Sequence, residues 1–260
     1  MLTDKVIVVT GASKGLGLAT VKALLSRGAK VALLARGQKG LDRVINELKS
    51  ADTTNNDRIL AIATDVSDRA AVFNAFKQIQ EHFGRLDGLV NNAGLAKPNK
   101  IEDIPEAELT LQVGTNFLGT VYCCQAAIPL LRKTGGGLIV NISSASVRNI
   151  HEMAQISIYA ATKAAVDNFS LNLREELIRD NIGVTVVSPG ASNTEFGFHW
   201  DMDKITQAMK AWREKGPWCE GTMDASCVGE AIAHCFTYPP GVTVDFMEVK
   251  PHQLTEKPVF

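Results

Sequence analysis

Val6-Ile-Val-Val-Thr10-Gly11-Ala-Ser-Lys-Gly15-Leu-Gly17 is the stretch on which the fold turns. Val6–Val9 is apolar and β-branched, which reads as a buried strand. Gly11, Gly15 and Gly17 then bridge to an amphipathic helical pattern. Glycine permits the tight turn and lets the backbone approach an anion. The helix that follows offers free N–H groups and a partial positive charge to a diphosphate. The spacing is G-x-x-x-G-x-G, and no Gly-Lys-Ser/Thr closes it, so it is not a P-loop. A glycine turn that only packs helix on strand would look similar in isolation. Its place after a first strand favours binding.

The rest of the chain repeats this strand–helix unit. Val31–Leu34, Ile59–Ile62, Leu89–Val90, Leu138–Ile142 and Val184–Val187 are strand-like, and Val242–Val249 is expected to close the sheet. These runs are near-continuously apolar, as in strands covered on both faces. Between them lie helical patterns such as Val72, Phe76, Ile79 and Phe83, with Ser67 as the expected N-cap. Asp52–Asp57 and Gly135–Gly137 read as surface turns. The pattern specifies one α/β domain, a doubly wound parallel sheet of about seven strands flanked by helices.

Composition narrows the function classes. With 45% hydrophobic and 21% charged residues the chain is globular. A net charge of −1 gives no field toward nucleic acid or an anionic membrane. The expectation is no signal peptide and no membrane span. Five cysteines without metal-type spacing fit reduced thiols in the cytoplasm, with Cys123 and Cys124 as packing residues.

The unusual residues gather at strand carboxyl ends, where open parallel sheets bind ligands. The glycine loop follows the first strand, Arg36 ends the second and Asp65 the third. Asn91-Asn92-Ala93-Gly94 follows the fourth, Ser143-Ser144 the fifth and Pro189-Gly190 the sixth. In Ser157–Leu177, Tyr159 and Lys163 stand one helical turn apart, on nearly the same side as Val166, Phe169, Leu173 and Leu177. A tyrosine has an ordinary pKa of ~10, and a neighbouring cation favours its phenolate. No acid lies between Lys30 and Lys39 to hold a ribose diol; Arg36, with Lys14, instead suits a 2′-phosphate.

Thr10-Gly-x-x-x-Gly-x-Gly17, Asn91-Asn-Ala-Gly94, Asn116, Ser144, Tyr159-x-x-x-Lys163 and Pro189-Gly190 together resemble the short-chain dehydrogenase/reductase family along nearly the whole chain. The resemblance implies a Rossmann-type domain, NADP(H) as cofactor given Arg36, and hydride exchange between a ketone or aldehyde and an alcohol. It implies a catalytic set of Asn116, Ser144, Tyr159 and Lys163. Tyr159 is the general acid/base, Lys163 also holds the nicotinamide ribose, Ser144 bonds the substrate oxygen and Asn116 holds a water linked to the lysine. Ser146, two residues nearer the tyrosine, stands at the family's more usual separation and is the alternative. The implied cofactor set is Gly11, Ser13, Lys14, Gly15, Leu16, Gly17, Arg36, Asp65, Val66, Asn91, Ala93, Gly94, Tyr159, Lys163, Pro189, Gly190 and Thr194. The resemblance also implies a homo-oligomer, tetramer or dimer, built on the helices around Phe117–Leu131 and Ala160–Ile178.

Residues 191–222 read as a substrate lid, because Trp200, Trp212, Trp218, Phe196 and Phe198 all fall there. That favours a bulky or aromatic carbonyl. The tail Pro240–Pro251 also resembles members that oxidise 3-hydroxy acids, for which Lys204 or Arg213 would meet the carboxylate. His151 and His199 are further candidates for substrate contact. A non-catalytic NADP(H) sensor and a Ser/Lys hydrolase are the other readings. The intact tetrad opposes the first, and the absence of a nucleophile elbow opposes the second.

Overall fold

The computed structural model describes residues 1–149, 153–198 and 200–257. Seven strands form one parallel sheet: β1 Val6–Thr10, β2 Lys30–Ala35, β3 Ile59–Ala63, β4 Gly88–Asn91, β5 Gly137–Ile142, β6 Ile182–Pro189 and β7 Phe246–Val249. Their order is β7-β6-β5-β4-β1-β2-β3. This is the Rossmann-type doubly wound sheet. β1 lies between β2 and β4, so the loops after β1 and β4 diverge and open a crevice at the sheet's carboxyl edge.

Among the described residues the α-helices are α1 Gly15–Ser26, α2 Gln38–Ala51, α3 Arg69–Phe83, α4 Glu106–Val113, α5 Gly119–Thr134, α6 Ser157–Leu177, α7 Met202–Arg213 and α8 Ala225–Cys235, which flank the sheet or pack on those that do. The strand period of two divides β1 between two cores. Ile7 and Val9 join Leu24, Leu41 and Ile232 on the α1–α2–α8 side. Val6 and Val8 join Phe76, Ile79, Leu131 and Leu177 on the α3–α5–α6 side. Continuous apolar runs are therefore explained by burial on both faces.

The structure corrects several expected boundaries. The closing strand is Phe246–Val249, because only these residues pair with Val186–Pro189; Val242–Asp245 precede it as loop. The α3 N-cap is Asp68, whose carboxylate accepts from the Ala70 and Ala71 N–H groups; Ser67 instead donates to Asp65. The run after α2 contains a short 3-10 turn, Thr53–Asn55, capped by Asp52. The helix expected around Phe117 begins as a π-helical turn, Gly114–Leu118, before α5 proper. Gly135, at φ +90°, ends α5 in the left-handed region, and Gly137 already belongs to β5. Val166, Leu173 and Leu177 are buried as expected.

Two short strand pairs lie beside the main sheet. Ser192–Asn193 pairs with Met223–Asp224, and Trp218–Glu220 pairs antiparallel with Leu254–Glu256. No described helix is long and apolar enough to cross a membrane. Cys123 and Cys124 are buried within α5, and all five cysteines are free thiols.

Candidate active site

The carboxyl edge carries a cavity of about 760 Å³ that runs from Arg36 and Gly37 to Trp200 and Trp212. Its first wall is the glycine loop. Gly11 and Gly15 have φ of +65° and +54°, which a side chain would strain. A Cβ on Gly17 would stand 2.3 Å from the Gly11 carbonyl oxygen, so α1 must start against a bare backbone. The α1 N-terminus has no side-chain cap and no acid in its first turn, leaving its N–H groups for an anion.

A second loop is bolted to the first. Thr10 Oγ1 accepts from the Asn92 and Ala93 N–H groups, each at 3.0 Å. Asn92 Nδ2 donates to the Thr10 carbonyl at 2.8 Å. These bonds fix Asn92-Ala93-Gly94 as cavity wall.

On α6, Lys163 Nζ is buried, donates to the Ile142 carbonyl at 2.7 Å and lies 6.0 Å from the Tyr159 ring centroid. Burial pushes the ammonium down to about 8, while the Asp167 carboxylate one turn on acts in the opposite direction. Asp167 accepts from Arg148 at 2.6 Å, and Arg148 stacks over Phe246 at 4.1 Å. Opposite α6, Ser144 and Ser146 both line the cavity, and Ser146 Oγ donates to Ser144 Oγ at 2.9 Å.

Most residues expected from the sequence meet on this wall. Ser13, Lys14, Gly15, Leu16, Arg36, Val66, Ala93, Gly94, Ser144, Tyr159, Lys163, Pro189, Gly190 and Thr194 all line the cavity with Gly11. Four do not. Asn91 points into the α5–α6 layer, where its amide donates to Asn141 Oδ1 at 2.8 Å, and Asn141 donates to Ser170. The next residue, Asn92, faces the cavity instead, as strand alternation requires. Asp65 spends its carboxylate on Ser67, and Thr64 takes its place on the wall. Gly17 supports the loop from behind. Asn116 is fully buried behind the wall: its Oδ1 accepts from Leu95 N–H, and its Nδ2 donates to the Leu95 carbonyl and to Thr162 on α6. A Cβ on Gly94 would nevertheless meet both Lys163 Nζ, at 3.3 Å, and Asn116 Oδ1, at 3.4 Å.

The far end of the cavity is apolar, with Leu95, Ala96, Met153 and Ile156 facing Phe196, Trp200 and Trp212. Tyr159, Phe196 and Trp200 form a chain of ring contacts at 5.6 and 5.9 Å. Phe198 and Trp218 are exposed and take no part. Neither Lys204 nor Arg213 reaches the cavity: Lys204 pairs with Glu108 at 3.1 Å, and Arg213 donates to the Lys257 carbonyl. His151 and His199 lie outside the described residues. Sequence reading missed Thr64, Leu95, Thr115, Met153 and Ile156 as wall residues, while Ser143, expected at the end of the fifth strand, lines the wall beside Ser144. Thr64 adjoins Asp65 just after β3, so strand-end direction was the available signal.

The sequence profile of the short chain dehydrogenase family matches residues 5–204. Over 251 residues the chain is 34% identical to an uncharacterised oxidoreductase of Staphylococcus aureus, covering 96% of this chain and 99% of the relative. It is similar to the solved structure of a 3-ketoacyl-(acyl-carrier-protein) reductase from Brucella melitensis complexed with NADH. There the TM-score is 0.81 at 28% identity, over 97% of this chain and 99% of that one. A second similar structure is an alcohol dehydrogenase from the archaeon Thermococcus sibiricus complexed with 5-hydroxy-NADP. Here the TM-score is 0.80 at 26% identity, over 95% and 97% of the two chains. With a profile match across most of its length and a relative of its own size at 34% identity, this chain belongs to the short-chain dehydrogenase/reductase family of oxidoreductases.

Proposed function

We propose that the protein is an NADP(H)-dependent oxidoreductase interconverting a ketone or aldehyde and an alcohol, with Tyr159 as general acid/base. The observation that carries this reading is that Tyr159, Lys163 and the Ser144–Ser146 pair share one cavity with the glycine loop. The residues fit the dinucleotide. Gly11 and Gly17 leave no room for a Cβ, and the Ser143 and Thr115 hydroxyls on the wall are buried without protein partners. Gly11 to Gly17 and the α1 N-terminus would hold the diphosphate, Arg36 and Lys14 the 2′-phosphate, and Lys163 and Thr194 the nicotinamide half. When bound, the cofactor supplies or accepts the hydride.

The chain's own groups handle the proton and the geometry. Ser144 or Ser146 donates a hydrogen bond to the carbonyl oxygen and orients it toward Tyr159. Tyr159 delivers its proton to that oxygen during reduction and takes it back during oxidation. The Lys163 ammonium stabilises the phenolate left behind. Asn116, tied to Leu95 and Thr162, holds the wall on which Lys163 stands. The apolar far end excludes water and suits a bulky or aromatic group; among the described residues no cation there meets an acid substrate, which favours a neutral ketone over a 3-hydroxy acid.

The exposed Leu171 on α6, with Leu118 just before α5 and Ile178 just after α6, supports a homo-oligomer, and five free thiols suit the cytoplasm. Tyr159→Phe tests the reading. NADPH oxidation with a ketone panel is expected to fall by a factor of at least about 10² while NADPH affinity stays near wild type. An active Phe variant removes Tyr159 from the acid role, and a wild type that binds NADPH yet reduces no carbonyl supports a sensor.

A further inference from the structure

The far wall of the cavity is held by a segment distant in sequence. Trp212 is the penultimate residue of α7, and that helix buries only Ala208 and Met209. Its own packing is thin. The C-terminal strap supplies the rest. Leu254–Glu256 pairs with Trp218–Glu220, and the Gly221 N–H donates to the Gln253 carbonyl at 2.7 Å. The strap ends on Lys257, which is 3% exposed, an unusual burial for a lysine. Lys257 Nζ donates to the Trp212 carbonyl at 2.7 Å and stands 4.8 Å from the Trp212 ring centroid. Its N–H donates to the Pro217 carbonyl at 2.8 Å, and its carbonyl accepts from Arg213.

The Trp212 carbonyl also accepts from the Lys215 N–H at 3.2 Å in the turn that ends α7, and a cation at a helix C-terminus is favourable. Lys257 therefore closes the end of α7 and faces the indole in a cation–π contact. A methionine could fill the same space. Only a cation both caps the carbonyl and holds the ring.

We infer that Lys257 is a positioning residue for substrate size: by capping α7 and clamping the Trp212 ring, it sets the wall against which the larger substituent of the carbonyl substrate packs. This rests on the oxidoreductase reading above, so the test has one arm independent of turnover. Trp212 is made the sole tryptophan by Trp200→Phe and Trp218→Phe, with the full chain otherwise intact. Lys257→Met in that background is expected to raise acrylamide quenching of Trp212 about twofold, and Lys257→Arg to return it most of the way. In the otherwise native protein, Lys257→Met is expected to raise KM for acetophenone about tenfold, with kcat/KM for acetone and NADPH affinity within about twofold of wild type. Unchanged quenching in Lys257→Met overturns the inference. So does an equal rise in KM for both ketones, which marks general loosening. A wild type inactive on every carbonyl instead defeats the oxidoreductase reading, and the fluorescence arm still decides the role of Lys257.

Discussion

Lys163 should lose its proton at lower pH when Asp167 is neutralised, and at higher pH when Arg148 is removed. The lysine is buried, which pushes its ammonium down to about 8, and Asp167 one turn away opposes that fall. Side chains one turn apart on a helix are ~6 Å from each other. At an effective dielectric of ~20 the attraction is about 2–3 kcal/mol. Arg148, bonded to the same carboxylate at 2.6 Å, cancels part of it. A net effect of about 1.4 kcal/mol corresponds to about one pKa unit. Asp167→Asn removes the negative charge, so the alkaline limb of kcat/KM for ketone reduction should move about one unit toward neutrality. Arg148→Met leaves Asp167 uncompensated and should move the same limb upward. The assay is NADPH oxidation followed across the pH range for both variants and wild type. Loss of a merely structural bridge would shift both variants in one direction. That outcome, or two unmoved limbs, refutes the electrostatic account.

Arg36→Asp should weaken NADPH by a factor of about 10 or more and leave NADH near wild type, since an exposed phosphate–guanidinium pair contributes about 1–2 kcal/mol and the new charge repels; Kd values for both dinucleotides check this. Gly17→Ala should abolish dinucleotide binding, because its Cβ would fall 2.3 Å from the Gly11 oxygen; fluorescence titration with NADPH reads the loss. Gly229→Ala should cost about 1–3 kcal/mol without touching the site, since its Cβ would stand 2.6 Å from the Ala19 carbonyl carbon where α8 crosses α1; chemical denaturation measures it. Burial opposes the Asp87 charge, but Arg85, the Val6 N–H and Lys5 outweigh it and hold the carboxyl below its usual range. A depressed carboxyl stabilises the fold above its unfolded pKa and loses that contribution as pH falls through the folded one. Asp87→Asn should therefore destabilise at neutral pH and much less in strong acid, as thermal unfolding at several pH values would reveal.

The residues that locate the crevice were legible because their signals are local. Gly11 and Gly15 need backbone freedom, β-branched runs mark strands, and Tyr159 with Lys163 shares a helical face. What escaped the sequence depends on contacts between distant segments or on single-residue direction. Asn91 and Asn92 look equivalent in a string, yet strand alternation sends one into the core and one to the cavity. Asp65 was claimed by a neighbour two residues away, which left Thr64 on the wall. The ties of Asn116 to Leu95 and Thr162 span 21 and 46 residues, and no periodicity announces them. Ser67 gave way to Asp68 as a cap because caps are settled at single-residue precision. The tie of residues 253–257 to the end of α7 depends on strand pairing across a gap of about 36 residues, beyond any local pattern.

The buried amide chain from Asn91 to Asn141 and Ser170 has a bearing on how the sheet assembles. Leu89-Val90 and Ile139-Val140 are so alike that sliding one strand past the other by two residues would keep every apolar face inward. Packing alone discriminates poorly between such alignments. The paired asparagines do discriminate, because any slip strands their amides in an apolar layer at about 1–3 kcal/mol each. They act as a checkpoint on strand alignment, set beneath the very edge where the crevice must open true.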